Sequence, residues 1–136
     1  MILLDTVTIS EPSKRNPNPR VLEWFRAQNP ASLFISVLSL GEIERGIAII
    51  EKRDEVAARR LNAWRFELES VYADRIVDFD LPCATLWGRF VAKSGRNDID
   101  VLIGATAARH GWKIATRNID DFAMMKLEVI DPWSIR

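Results

Sequence analysis

Apolar residues fall along this chain in short runs that alternate with longer stretches of helical spacing. Met1 to Leu4 is a brief apolar run ending at Asp5, and it predicts a buried strand. Asp5-Thr6 leaves that strand, and Glu11 to Pro19 is rich in Pro, Asn and Ser and reads as a loop. A helix starting near Pro19 or Arg20 buries Val21, Leu22, Trp24 and Phe25 and stops at Asn29-Pro30. Leu33 to Val37 predicts a second strand. Ser39 then offers a cap for a helix through Ile43, Ile47 and Ile50, with Glu42 in capping-box spacing. Glu51 to Tyr72 reads as charged helix, its apolar side formed by Val56, Leu61, Trp64, Phe66, Leu68 and Val71. Arg75 to Phe79 predicts a third strand. Asp80 and Pro82 open a helix that packs through Ala84, Leu86, Trp87 and Phe90.

The stretch from Asn97 to Phe122 carries most information. Asn97 or Asp98 caps a helix through Ala108, Gly111 stops it, Trp112 to Thr116 reads as a strand, and Arg117 to Asp121 as a polar turn. Leu127 to Ile130 is a last short strand before Pro132. Strands alternating with helices predict a parallel sheet covered on both faces. In such folds ligands sit beyond the carboxyl ends of the strands.

Asp98 and Asp100 lie roughly 200° apart around a helix, so both cannot face one cleft. Asp98 is the better cap. Asp100 shares a stripe with Ile103, Gly104 and Ala107, small enough for close packing. Either it faces water and complements the helix dipole, or it points into a cleft. Asp5 ends the first strand, Asp121 follows the strand Trp112 to Thr116, and Glu42 and Asp100 sit in the first turns of their helices. These four acids reach one rim of an α/β sheet. Converging carboxylates repel, by roughly 4 kcal/mol at 4 Å and an effective dielectric near 20. Either some take up protons or a divalent cation neutralises them.

The remaining inventory favours the cation. His110, the one histidine, sits at a helix C-terminus, and Cys83, the one cysteine, has no partner beside it. A Cys-His nucleophile or a soft zinc site is poorly supported. An all-oxygen site suits Mg²⁺ or Mn²⁺. No phosphate-binding glycine loop is present, which speaks against a nucleoside-triphosphate engine. The 136 residues fit one domain, spanning 1–136. Charges balance to zero, so bulk charge does not make the chain a nucleic-acid binder, though a local basic groove is compatible with that balance. A single cysteine, with no signal peptide or membrane-spanning run, predicts a soluble cytoplasmic protein.

The segments MILLDTVTISE, SLGEIERG, IDVLIGATAARHG and IATRNIDDF, with the closing DPW, resemble the PIN-domain nucleases. More narrowly, they resemble the VapC toxins of bacterial toxin–antitoxin pairs, including the FitB-like branch. The resemblance covers essentially the whole chain. It implies a three-layer α/β/α fold with a short, mainly parallel central sheet. It implies cleavage of RNA with Mg²⁺ or Mn²⁺ held by a cluster of acids. It also implies a homodimer, neutralised by a VapB-like antitoxin through which operator DNA is bound. Carried over by position, Asp5, Glu42, Asp100 and Asp121 are the catalytic and metal-binding acids. Asn118 occupies the place where some relatives carry the fourth acid. Thr6 and Thr116 orient metal-bound waters. Where the family commonly reads DTNVIS this chain reads DTVTIS, so Val7 replaces an asparagine near the site. Arg89, Lys93, Arg96 and Arg117 are either phosphate contacts or ordinary surface charges. Trp24, Phe25, Trp64, Phe66 and Leu68 belong to the core or to a groove for an antitoxin helix or a second copy. Two other readings compete with the nuclease: an inactive PIN-fold module that only binds its antitoxin, and a metal-dependent phosphatase of small esters.

Overall fold

A computed structural model of the chain describes residues 1–134. Five short strands form one sheet: β1 (Ile2–Leu4), β2 (Leu33–Ser36), β3 (Ile76–Val77), β4 (Lys113–Ala115) and β5 (Val129–Ile130). Their order is β3-β2-β1-β4-β5, and every pairing is parallel. The chain builds outward from β1 to β3, then returns to the other side of β1 to lay down β4 and β5. The direction of winding therefore reverses between β1 and β4, where an open parallel sheet leaves a crevice at its carboxyl edge.

The strands are apolar at nearly every position because both faces are covered. Successive side chains alternate between the faces. Ile2, Leu4, Leu33 and Ile35 join Trp24, Ile43, Ile47 and Leu68 in one core. Leu3 and Ile114 join Val101, Ile103, Ala107, Phe122 and Met125 in the other. Seven helices supply these layers: α1 (Thr6–Ser10), α2 (Pro19–Ala27), α3 (Val37–Glu51), α4 (Glu55–Val71), α5 (Leu81–Ser94), α6 (Ile99–His110) and α7 (Ile119–Ala123). No helix among the described residues is long and apolar enough to cross a membrane.

The structure corrects several expectations. The residues after Asp5 form α1 followed by a 3-10 turn at Glu11–Ser13, where the sequence read as an exit from the strand and a loop. The cap of α3 is Ser36, whose Oγ accepts from the Leu38 N–H, and Ser39 is buried one turn further on. Glu42 thus lies in the second turn rather than the first. Helix does not run unbroken into Glu51–Tyr72; Lys52 to Asp54 turn the chain, and Asp54 caps α4. On α4, Leu61, Trp64 and Leu68 pack inward as expected, but Val56, Phe66 and Val71 are exposed. Asp121 sits in α7, not in an open turn.

α6 packs closely against α7 because Gly104 has no side chain. A Cβ there would overlap the Met125 sulfur and press on the Phe122 ring. Gly104→Val is expected to cost roughly 1–3 kcal/mol through overpacking. A urea midpoint that falls while the slope stays constant would show it. An unchanged midpoint would mean that α7 gives way freely.

Candidate active site at the crossing of β1 and β4

Asp5 is the first residue past β1, and Thr116 the first past β4. Leu4 pairs with Ala115 in register, so the two side chains emerge together at the carboxyl edge. Asp5 is 1% exposed, unusual for a carboxylate. It stays soluble in this apolar setting because donors surround it. As the cap of α1 it accepts at Oδ1 from the Thr8 N–H (2.8 Å) and the Thr8 hydroxyl (2.6 Å). At Oδ2 it accepts from the Thr116 hydroxyl (2.5 Å). Burial pushes its pKa up; the hydroxyls of Thr116 and Thr8 pull the other way, and the charge of Glu42 adds to the rise.

Asp100 stands in the first turn of α6, and Asp98 caps that helix by accepting from the Val101 N–H (3.2 Å). This is the division of labour that their angular separation predicts. Ile103, Gly104 and Ala107 on the stripe of Asp100 are all buried, so the helix turns that face inward. The Asp100 pKa is raised from 3.8 to about 6, first by burial and then by the charges of Asp5, Asp98, Asp121 and Glu42. The four acids of the sequence therefore share one electrostatic neighbourhood, with Asp98 as a fifth member. They are not gathered into a ready cage: among the described residues no group of three His, Cys, Asp or Glu side chains could hold a metal ion as it stands. Arg96 accounts for part of this. Its guanidinium bridges Asp98 (Nη2 to Oδ2, 2.7 Å) and Asp121 (Nη1 to Oδ1, 3.1 Å).

The raised pKa has a consequence for stability. With Asp100 near 6 when folded and near 3.8 when unfolded, the native state binds more protons between those values. Stability of the metal-free protein then falls as pH rises through this window and levels off above it. Asp100 is only half-buried, so solvent screening reduces the effect to on the order of 1–2 kcal/mol. Urea unfolding in a chelator from pH 4.5 to 7.5 should show wild type losing ground to Asp100→Asn as pH rises. Parallel profiles would remove Asp100 from the cluster.

The other candidates divide. Thr116 touches Asp5 directly, and its oxygen accepts from the Asn118 N–H (3.0 Å), so both its roles are engaged. Thr6 donates to the Ser39 Oγ (3.0 Å) rather than to an acid. Asn118 begins α7 without a side-chain capping bond. Arg96 holds the two acids, so its donors are spent within the protein. Arg117 lies over the Trp133 ring (5.5 Å). Arg89 and Lys93 are exposed one turn apart on α5. Val7 is 41% exposed. Thr8, which stands where DTNVIS has valine, is fully buried and supplies two donors to Asp5. The sequence reading missed Thr8, and the signal was present: a residue three past a capping aspartate donates its backbone N–H to that carboxylate.

The donor set around Asp5 fits a hard dication. The side chains that hydrogen-bond to it, Thr8 and Thr116, do so through oxygen. Cys83 is buried in the first turn of α5, and His110 stacks on Trp112 (4.3 Å) at the far end of α6 from Asp100. Burial raises the Asp100 pKa first, and the repulsion from neighbouring acids that adds to it is what a bound cation would relieve.

Comparison with known proteins agrees with this geometry. A family model described as "PIN domain" matches residues 2–126. The chain is 34% identical to Toxin FitB of Neisseria gonorrhoeae, over 98% of this chain and 99% of that one. It is also 34% identical to VapC ribonuclease Y4jK of Sinorhizobium fredii, over 98% of each. Among solved structures it overlays on FitAB bound to an IR36 DNA fragment, with a TM-score of 0.87 and 30% identity over 100% of this chain and 98% of that one. By sequence and by topology, this chain belongs to the PIN-domain family.

Proposed function

We propose that this chain is the toxin of a type II toxin–antitoxin pair, and that it is an endoribonuclease dependent on Mg²⁺ or Mn²⁺. One observation carries the reading. A buried aspartate at the crossing point of the sheet shares its field with Asp100, Glu42 and Asp121, and Asp100 is pushed to about 6 by burial and by the charges of those neighbours. Such a cluster is unfavourable without a cation, and perturbed carboxylates of this kind concentrate at functional sites. The names of its relatives, one a toxin and one a ribonuclease, support the same reading.

Asp5 and Asp100 would hold the ion, with Glu42 and Asp121 completing its shell directly or through water. When bound there, such an ion would supply an activated water and neutralise charge on the scissile phosphate. The chain's own residues do the rest. Thr8 and Thr116 fix the Asp5 carboxylate, and Arg96 holds Asp121 until it is needed. Beside Glu42, an open cleft lined by Val37, Leu38, Gly41, Arg45 and Ile99 gives the nucleoside next to the cut a partly apolar seat. Arg89 and Lys93, both exposed on α5, would meet the phosphate backbone of the RNA. A VapB-like antitoxin neutralises the enzyme, and operator DNA is bound through that partner by a dimer of the chain.

Expression without an antitoxin should arrest bacterial growth, and Asp100→Asn should relieve the arrest. The purified protein should cut RNA in Mg²⁺ or Mn²⁺ and stop when the ion is chelated. Turnover of small phosphate esters with RNA left whole would favour a phosphatase. Antitoxin binding with neither arrest nor cleavage would favour an inactive module.

A further inference from the structure

The hydrogen bonds on Asp5 divide unevenly between its two oxygens. A carboxylate oxygen has two in-plane acceptor directions. At Oδ1 both are taken, one by the Thr8 N–H (2.8 Å) and one by the Thr8 hydroxyl (2.6 Å). At Oδ2 only one is taken, by the Thr116 hydroxyl (2.5 Å). All three residues are buried, so water does not exchange freely with these donors. The Thr8 hydroxyl has one proton and two acceptors within reach, the carboxylate at 2.6 Å and the Ala115 carbonyl at 3.0 Å. A charged acceptor at the shorter distance holds that proton.

We propose that Thr8 is a positioning residue that makes Asp5 a one-oxygen ligand, offering a dication Oδ2 alone. The Thr8 hydroxyl closes the second direction at Oδ1 and stops the carboxylate from turning to chelate with both oxygens. The Thr116 hydroxyl at Oδ2 ties the Asp5 rotamer to the end of β4 in turn. Outer groups that orient a ligand in this way typically change metal affinity tenfold to a hundredfold when removed. Valine at position 8 keeps the shape and the backbone N–H but removes the hydroxyl.

This inference rests on the metal-dependent reading above, and the test separates the two. Mn²⁺ binding to the RNA-free, metal-stripped protein is measured by calorimetry for wild type, Thr8→Val and Thr8→Ser. The expected result is a tenfold to hundredfold weaker dissociation constant in Thr8→Val, with serine restoring most of the affinity. A purely structural hydroxyl would lower the melting temperature and leave Mn²⁺ affinity alone. That outcome, or equal or tighter binding in Thr8→Val, overturns the inference while leaving the nuclease reading in place. If wild type takes up no Mn²⁺, the reading beneath it fails and the inference with it. Should Thr8→Val not fold, Thr8→Cys, with its weaker donor, carries the same measurement and the same expected loss.

Discussion

Asp100→Asn is expected to lower Mn²⁺-dependent RNA cleavage by about a thousandfold or more while the protein stays folded. The two halves of this expectation have separate causes. A metal ion stabilises the developing charge of a phosphoryl reaction by several kcal/mol, and each 1.36 kcal/mol is a factor of ten in rate. Removing one charged ligand that forfeits about 4 kcal/mol of this brings the rate down about a thousandfold. The fold survives because Asp98, not Asp100, caps α6, and the core stripe below Asp100 is untouched. Asp121→Asn should cost less, since Arg96 already shares that carboxylate. Asp120→Asn, one residue away and exposed, should leave cleavage near wild type. The ordering Asp100, Asp121, Asp120 can be read from single-turnover cleavage at saturating Mn²⁺. Full activity in Asp100→Asn would sink the metal cluster, whatever the family resemblance implies.

How far the sequence alone reaches is clearest at α6. The cap, the inward stripe and the glycine stop were all legible there because each obeys local geometry. Asp98 and Asp100 cannot share a face, small residues mark the packed side, and Gly111 takes the left-handed conformation that ends the helix (φ 67°). The strands were legible as short apolar runs, but longer than they are: Arg75 to Phe79 shrinks to Ile76–Val77. Where two local solutions fit equally well, the sequence did not decide. Ser36 and Ser39 can both cap α3, and Ser39 even has its capping-box glutamate. What excludes Ser39 is a distant contact, since its Oγ accepts from Thr6 of α1. The segment Thr6 to Ser10 is harder still. Threonine, valine and isoleucine are indifferent helix formers, and only the Asp5 cap and the burial of Thr8 and Ile9 make a helix of them. Thr8 was overlooked for that reason. The grip of Arg96 on Asp121 was invisible too, because it joins residues far apart in the chain.

Asp5→Asn and Asp5→Ala should move the stability of the metal-free protein in opposite directions. Asparagine caps a helix about as well as aspartate, so the Thr8 N–H keeps its acceptor. The Thr116 hydroxyl can turn and accept from the new amide. The variant loses a buried charge that burial and Glu42 both disfavour, and is expected to be more stable than wild type at pH 7. Alanine removes the cap, which costs about 1 kcal/mol, and strands the buried Thr116 donor, which costs roughly 1–3 kcal/mol. The Thr8 hydroxyl loses less, because the Ala115 carbonyl remains at 3.0 Å. Relief of the buried charge offsets part of this, leaving Asp5→Ala about 1–3 kcal/mol below wild type. The sign of the pH effect follows from the raised pKa of Asp5. Its folded form holds a proton more readily than its unfolded form, so the penalty for its charge is present above the folded pKa and disappears below it. The gain from asparagine should therefore shrink as pH is lowered, while the deficit from alanine should deepen. Urea unfolding in chelator at pH 7 and pH 5 measures both. If asparagine is as damaging as alanine, the negative charge itself holds β1 to β4, and the site is built for stability rather than for a cation.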